Sequence, residues 1–228
     1  MTTNSFDKVV NGIISIVNLR HPNGKDTGSL VADSASSMGA KLTTITSNPD
    51  EDFNNFNYGN IDWRHNLQNT HWLVNSSTTV LEGESPKNAW AASMIFGELE
   101  GSKTVMVVDL PKDITRLSEM WGAVISKIRQ IHILFLTSDA LKFISKLEKV
   151  NKDELLNQIR ISGLIPLVCS YDETSREVNI VHSTGSVKLY IEGKVTHYNW
   201  LANFLYKLPT QNFDNQGLKI SASFLEDF

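Results

Sequence analysis

Cysteine is almost missing from this chain, with Cys169 the only one in 228 residues. An intrachain disulfide is therefore excluded, and a reducing compartment is favoured. The thiol lies in the apolar run "LIPLVCSY", with no histidine or asparagine beside it to activate it. It reads as a small hydrophobe in a strand, without a catalytic role. Excess positive charge is missing too: 21 Lys and Arg stand against 25 Asp and Glu, a formal net charge of -4. That leaves no electrostatic footprint for nucleic acid or an anionic membrane. No apolar run approaches the roughly 20 residues that span a bilayer. "MTTNSFDKVV" lacks the basic start and apolar core of a secretory leader. A soluble, cytoplasmic protein is expected.

Phosphate-loop glycines are missing as well. None of the 13 glycines forms Gly-x-Gly-x-x-Gly, Gly-Lys-Ser/Thr or a Gly-Gly pair, so ordinary nucleotide loops are excluded. His21, His65, His71, His132, His182 and His197 fall at spacings that match no ligand motif, and each reads as a structural histidine. "PDEDF", with Asp50, Glu51 and Asp52, lacks the alternating oxygen ligands and glycine of a calcium loop and reads as a solvated loop. No metal or cofactor is expected.

What is present suffices for one substantial core, at 41% hydrophobic residues. "NGIISIVNL" and "TGSLVADSA" flank "RHPNGKD", whose Pro-Asn-Gly suits a tight turn, so an N-terminal β-hairpin is predicted. The stretch "TTITSNPDEDFNNFNYGN" has no sustained period and reads as a surface connection. Residues 1–60 are thus taken as hairpin and loop, and 61–228 as the main domain.

From Ile61 onward, the β-rich runs "HWLVNS", "TVMVVDL", "IHILFLT" and "LIPLVCSY" alternate with helical patterns. "SPKNAWAASMIFGELEG" has Ser85 placed as N-cap and Pro86 at the first helical position. Ala89, Trp90, Met94, Ile95 and Leu99 form its stripe, and it ends near Gly97 or Gly101. "DITRLSEMWGAVISKIRQ" repeats the period with Ile114, Leu117, Trp121, Val124, Ile125 and Ile128. "SDALKFISKLEKV" opens on Ser138 as a cap. Strands that recur after helices imply crossover units, hence an α/β fold with a Rossmann-like parallel sheet. Towards the end, "REVNIVHS" and "SVKLYIEG", joined by Thr184-Gly185, predict an antiparallel hairpin. "NWLANFLYKL" then supplies a helix and "QGLKISASFLEDF" a final short one. Trp63, Trp72, Trp90, Trp121 and Trp200 read as core, with an interface left open for Trp63 and Trp72.

The wording of "YGNIDWRHNLQNTHWLVNSSTTVL", "AWAASMIFGELEGSKTVMVVDLP" and "IHILFLTSDALKFI" resembles the middle of ribokinase-like (PfkB) sugar kinases, especially 2-keto-3-deoxygluconate kinases. The resemblance implies that the first hairpin is a remnant of the sugar-covering lid, and that an N-terminal region carrying early strands and a Gly-Gly sugar motif is lacking. It places the family's Gly-Ala-Gly-Asp turn on Val195, Thr196, His197 and Tyr198. The base position becomes Tyr198, or Asn199 with a one-residue slip. Neither is a carboxylate, and bulky side chains replace both glycines. Asp109 keeps the first acid of the family's Asp-x-Asn-x-Arg, while Pro111 and Asp113 stand where Asn and Arg belong. Thr137 and Ala140 occupy the ends of Asn-x-x-Glu.

The resemblance therefore implies an inactive carbohydrate-kinase fold, a pseudokinase, kept as a binding or assembly module. Loss of early strands would leave the sheet edge beside "HWLVNS" open, to be covered by a second copy or another protein. Two alternatives stand beside it: an ATP-dependent sugar kinase completed by a partner chain, and a non-catalytic sugar or nucleoside sensor.

Overall fold

The computed structural model describes residues 13–48 and 51–224. β1 (Ser15–Leu19) is buried over most of its length. The loop after it ends on Asp26, whose carboxylate accepts the Ser29 N–H at 3.1 Å and starts α1 (Thr27–Ser37). β2 (Lys41–Ile45) then pairs with β1 in parallel, Ser15 opposite Lys41 and Leu19 opposite Ile45. This corrects the expected N-terminal hairpin: the opening unit is β-α-β, not a lid remnant. "TGSLVADSA" is small and polar with no strict alternation, so the cap at Asp26 and the burial of Val31, Ala32 and Ala35 on one helical face decide its conformation.

The remaining elements follow the predicted rhythm. They are α2 (Trp63–Leu67), β3 (Trp72–Ser76), α3 (Glu84–Glu100), β4 (Lys103–Val108), α4 (Leu117–Ser126), β5 (Ile133–Thr137) and α5 (Ser138–Glu148). After them come α6 (Lys152–Gly163), β6 (Leu167–Asp172), β7 (Glu177–His182), β8 (Gly185–Tyr190), α7 (His197–Lys207) and α8 (Asn215–Ala222). Among the described residues the sheet has 8 strands in the order β2-β1-β3-β4-β5-β6-β7-β8, parallel as far as β6 and antiparallel across β7 and β8. The α/β class and the C-terminal hairpin stand as predicted.

Local details differ where tertiary packing intervenes. α3 begins two residues early, on Gly83 at φ 137°, because a Cβ there would lie 2.9 Å from the Asn54 carbonyl oxygen. Its buried stripe runs through Ser93 and Gly97, leaving Ile95 and Leu99 exposed. In α4, Met120 is buried while Ile125 is exposed, and Ile114, also exposed, lies in a separate short turn at Ile114–Arg116. Thr137, not Ser138, caps α5, and α6, which the periodicity had not marked, is capped by Asn151. All five tryptophans are buried, so Trp63 and Trp72 belong to the core.

Two apolar layers sandwich the sheet. Trp90, Met94, Met120 and Trp121 fill the layer of α2 to α6, and Val31, Ala35, Trp200 and Phe204 that of α1, α7 and α8. The chain steps from β1 outward to β2, then crosses to β3 and runs the other way. The sheet therefore reverses direction between β1 and β3, where ligand crevices form in doubly wound sheets. β1 also pairs with β3, Ile16 opposite Trp72, so the edge beside "HWLVNS" is closed, and among the described residues the outer strands are β2 and β8. Among the described residues no helix is long and apolar enough to cross a membrane.

Candidate functional site

α7 begins at the end of the sheet where the parallel strands finish. Thr196 caps it by accepting the Asn199 N–H at 3.4 Å, and Tyr171 O–H holds the preceding Val195 carbonyl at 3.1 Å. The first turn of such a helix offers free N–H groups and the positive end of the helix dipole. Here that end is already engaged. Glu173, in the turn between β6 and β7, accepts the His197 N–H at 2.6 Å and pairs with His197 Nδ1 at 2.5 Å through the same Oε1. Tyr198 packs its ring edge-on to His197, and Asn199 Oδ1 accepts the Ser34 hydroxyl of α1 at 2.7 Å. Both candidate base positions are thus held in structural contacts.

Asp109 follows the end of β4. Its Oδ2 accepts Thr27 Oγ1 at 2.5 Å, and its Oδ1 accepts Thr137 Oγ1 at 3.0 Å and the Leu110 N–H at 2.7 Å. Asp109 and Thr137, predicted from separate motifs, therefore meet, and Thr27 at the start of α1 joins them. The sequence reading missed Thr27 because it placed this segment in a strand. Ala140 is buried and donates its N–H to Thr137 Oγ1 at 3.3 Å. Asp113 accepts Thr115 N–H and Oγ1, bonds that hold its carboxyl below the usual range.

A cleft of about 950 Å³ opens over the ends of β1, β3 and β4, lined by Asp26, Thr27, Glu82, Asp109, Pro111 and Asp113 together with His21, Lys25, Lys112 and Arg116. It lies at the reversal point of the sheet and is of ligand size. Burial pushes the Glu82 carboxyl up, opposed by the charge of His21, while Asp26 adds to the rise. Residues 195–199 do not line this cleft, so the turn before α7 and the Asp109 group are separate parts of the same sheet end. Arg116 is committed elsewhere, forking onto Glu119 at 2.8 and 2.7 Å.

The other marked side chains have structural surroundings. Cys169 is buried, and burial pushes its thiol well up. His132 accepts the Thr104 N–H through Nδ1, and burial pulls it down to about 4. His71 Nδ1 lies 2.9 Å from Ser15 Oγ, and His182 Nε2 lies 2.7 Å from Asn215 Oδ1. Asp52 caps a short turn at Phe53–Asn55, and Asp50 lies outside the described residues. Among the described residues no group of three or more His, Cys, Asp or Glu is placed to hold a metal ion.

No protein-family model matches the sequence, and no curated protein matches it. Solved structures do match in fold. A double mutant of fructokinase from Vibrio cholerae O395, with fructose, ADP and potassium bound, superposes with a TM-score of 0.68 at 10% identity, over 92% of this chain and 89% of that one. A PfkB protein from Polaromonas sp. JS666 gives 0.68 at 9% identity, over 92% and 93%. Aminoimidazole riboside kinase from Salmonella enterica, complexed with aminoimidazole riboside and an ATP analogue, gives 0.66 at 10%, over 91% and 89%. The likeness runs along nearly all of these chains, so the expected lack of early strands is not met: β1, α1 and β2 extend the sheet beyond β3. The chain has the α/β fold of the ribokinase-like, or PfkB, sugar kinases.

Proposed function

We propose that this chain is a catalytically silent ribokinase-like domain that works as a binding or assembly module. The observation that carries the reading is Glu173, whose carboxylate occupies the first turn of α7 through His197 N–H at 2.6 Å. Phosphoryl transfer to a sugar hydroxyl needs a base for the hydroxyl proton and free N–H donors for charge developing on the phosphate. An internal anion competes for those donors, and residues 195–199 contain no carboxylate to act as base. Asp109, the acid retained near the cleft, is engaged by three donors.

The cleft favours a second reading, a sensor of a sugar or nucleoside that binds without turnover. Its volume of about 950 Å³ and its mixed polar lining suit such a ligand. Assembly enters through the outer strands β2 and β8, each paired with a strand on one side only among the described residues, where a second copy or another protein would add. The test is a thermal shift and a coupled ATP assay with magnesium, using fructose, 2-keto-3-deoxygluconate and aminoimidazole riboside. No shift with ATP and no turnover are expected. A shift with a sugar alone supports the sensor, and ATP-dependent phosphorylation of any of the three overturns both readings in favour of a kinase, complete in itself or completed by a partner chain.

A further inference from the structure

α6 packs on β6 and β7 and leaves the strip of sheet beyond it uncovered. Val178 and Ile180 point into the layer of α1, α7 and α8, so the alternate residues Glu177, Asn179 and Val181 face α6. On β8 the register sets Lys188 opposite Asn179 and Ser186 opposite Val181, and both β8 residues are exposed. Between α6 and this strip lies a groove of about 610 Å³, walled on the helix side by Leu156, Asn157 and Arg160. It shares no lining residue with the cleft over β1, β3 and β4.

Charge is divided along the groove. Lys152, at the start of α6, reaches Asp172 at 4.0 Å, beside the start of β7, whereas α6 ends just before Leu167, which pairs with His182 at the end of β7. Asp153 and Glu177 thus belong to one end, and Arg160, about 10 Å along the helix axis from Asp153, to the other. Glu177 is engaged by Lys188 at 2.9 Å and by Asn179 Nδ2 at 2.7 Å. Arg160 forms no ion pair among the described residues, and its Nε is buried without a hydrogen-bond partner. Nor does α6 need it as a cap, because the Arg160 and Ile161 carbonyls accept the Ile165 and Leu164 N–H at 3.2 and 3.4 Å. An enclosed donor left unmet is costly, and a carboxylate accepts Nε–H and Nη–H of one guanidinium together. We propose that this groove binds a small organic carboxylate, its charged end forked on Arg160 and its apolar body on Leu156 and Val181. A phosphate dianion suits it less, since the other two cations, Lys152 and Lys188, already have carboxylate partners. The outcome is independent of whether ATP or a sugar binds in the cleft.

The experiment titrates the full ¹⁵N-labelled chain with hexanoate and with 3-phenylpropanoate, followed by two-dimensional NMR. Saturable shifts of Arg160 Nε–H and of the Val181 and Ser186 amides are expected, with 3-phenylpropanamide producing none. Arg160→Gln should weaken binding at least about tenfold. Arg160→Lys keeps the charge in the last turn of α6 but loses the fork, so it should melt within about 2 °C of the parent and still bind at least about fivefold more weakly. Ser186→Glu, on the exposed floor, supplies a competing carboxylate and should remove binding without lowering the melting temperature. The proposal is overturned if neither carboxylate saturates, if the amide binds equally, if Arg160→Lys and Ser186→Glu bind as the parent does, or if the shifts fall in the cleft instead. Inorganic phosphate that binds more tightly than both carboxylates, with the same dependence on Arg160, would overturn the carboxylate assignment in favour of a phosphate site.

Discussion

Replacing Glu173 by alanine separates the two roles of its carboxylate. The group receives His197 N–H and Nδ1 at 2.6 and 2.5 Å, at the positive end of α7. A hydrogen bond to a charged group contributes about 1.5–3 kcal/mol, and an anion at a helix N-terminus about 0.3–1 kcal/mol. The side chains of Glu173 and His197 are 45% and 26% exposed, so water screens the charge and replaces part of the bonding. The loss should therefore be about 1–2 kcal/mol, or a melting temperature lower by about 2–8 °C for a chain of this size. Urea unfolding followed by circular dichroism measures it, with the midpoint falling at unchanged slope. The same preparation, assayed with ATP, magnesium and fructose, should remain inactive, because freeing the helix end supplies no base. An unchanged midpoint would refute the role given to Glu173 in holding α7. Turnover in the variant would refute the claim that the catalytic groups are missing.

Tyr198→Asp places a carboxylate at the expected base position and should still give no ATP-dependent transfer in a coupled assay, since Glu173 keeps the helix end. Acidification should destabilise the fold through His132. Burial lowers it from 6.5 to about 4, so the unfolded chain takes up the proton first, and stability falls as pH drops from 6.5 to 4. That difference corresponds to about 3 kcal/mol, and His132→Asn, which can still accept the Thr104 N–H, should flatten the urea midpoint against pH across this window. Parallel curves for parent and variant would remove His132 as the cause. Gly217→Ala should cost more than about 2 kcal/mol by thermal denaturation, because its Cβ would fall 1.9 Å from the Asn212 carbonyl oxygen.

The sequence by itself determined the alternation from His71 to Glu148 and the closing hairpin, though not α6, because strand and helix periods are local and the punctuating residues act on their own neighbours. Cap identity was less secure: Ser85 and Ser138 looked suitable, but Gly83 and Thr137 hold those positions, since the approach of Asn54 and the end of β5 set where each helix starts. The first unit was out of reach for a different reason. "TGSLVADSA" carries too few large apolar residues to declare a period, and α1 is secured by packing on α7, an element roughly 170 residues later whose position depends on the whole sheet.

The candidate site divides in the same way. That residues 195–199 contain no carboxylate and no glycine could be read directly, as could Asp109 at the end of its strand. That Glu173 reaches the first turn of α7, and that Thr27 and Thr137 close on Asp109, required the fold to bring the ends of β4, β5 and β6 to the helix starts. Residue types can argue against a reaction. Only tertiary structure decided that Glu173 meets the first turn of α7 and that Thr27 and Thr137 meet Asp109, because hydrogen bonds across 24, 28 and 82 positions leave no local pattern in the chain.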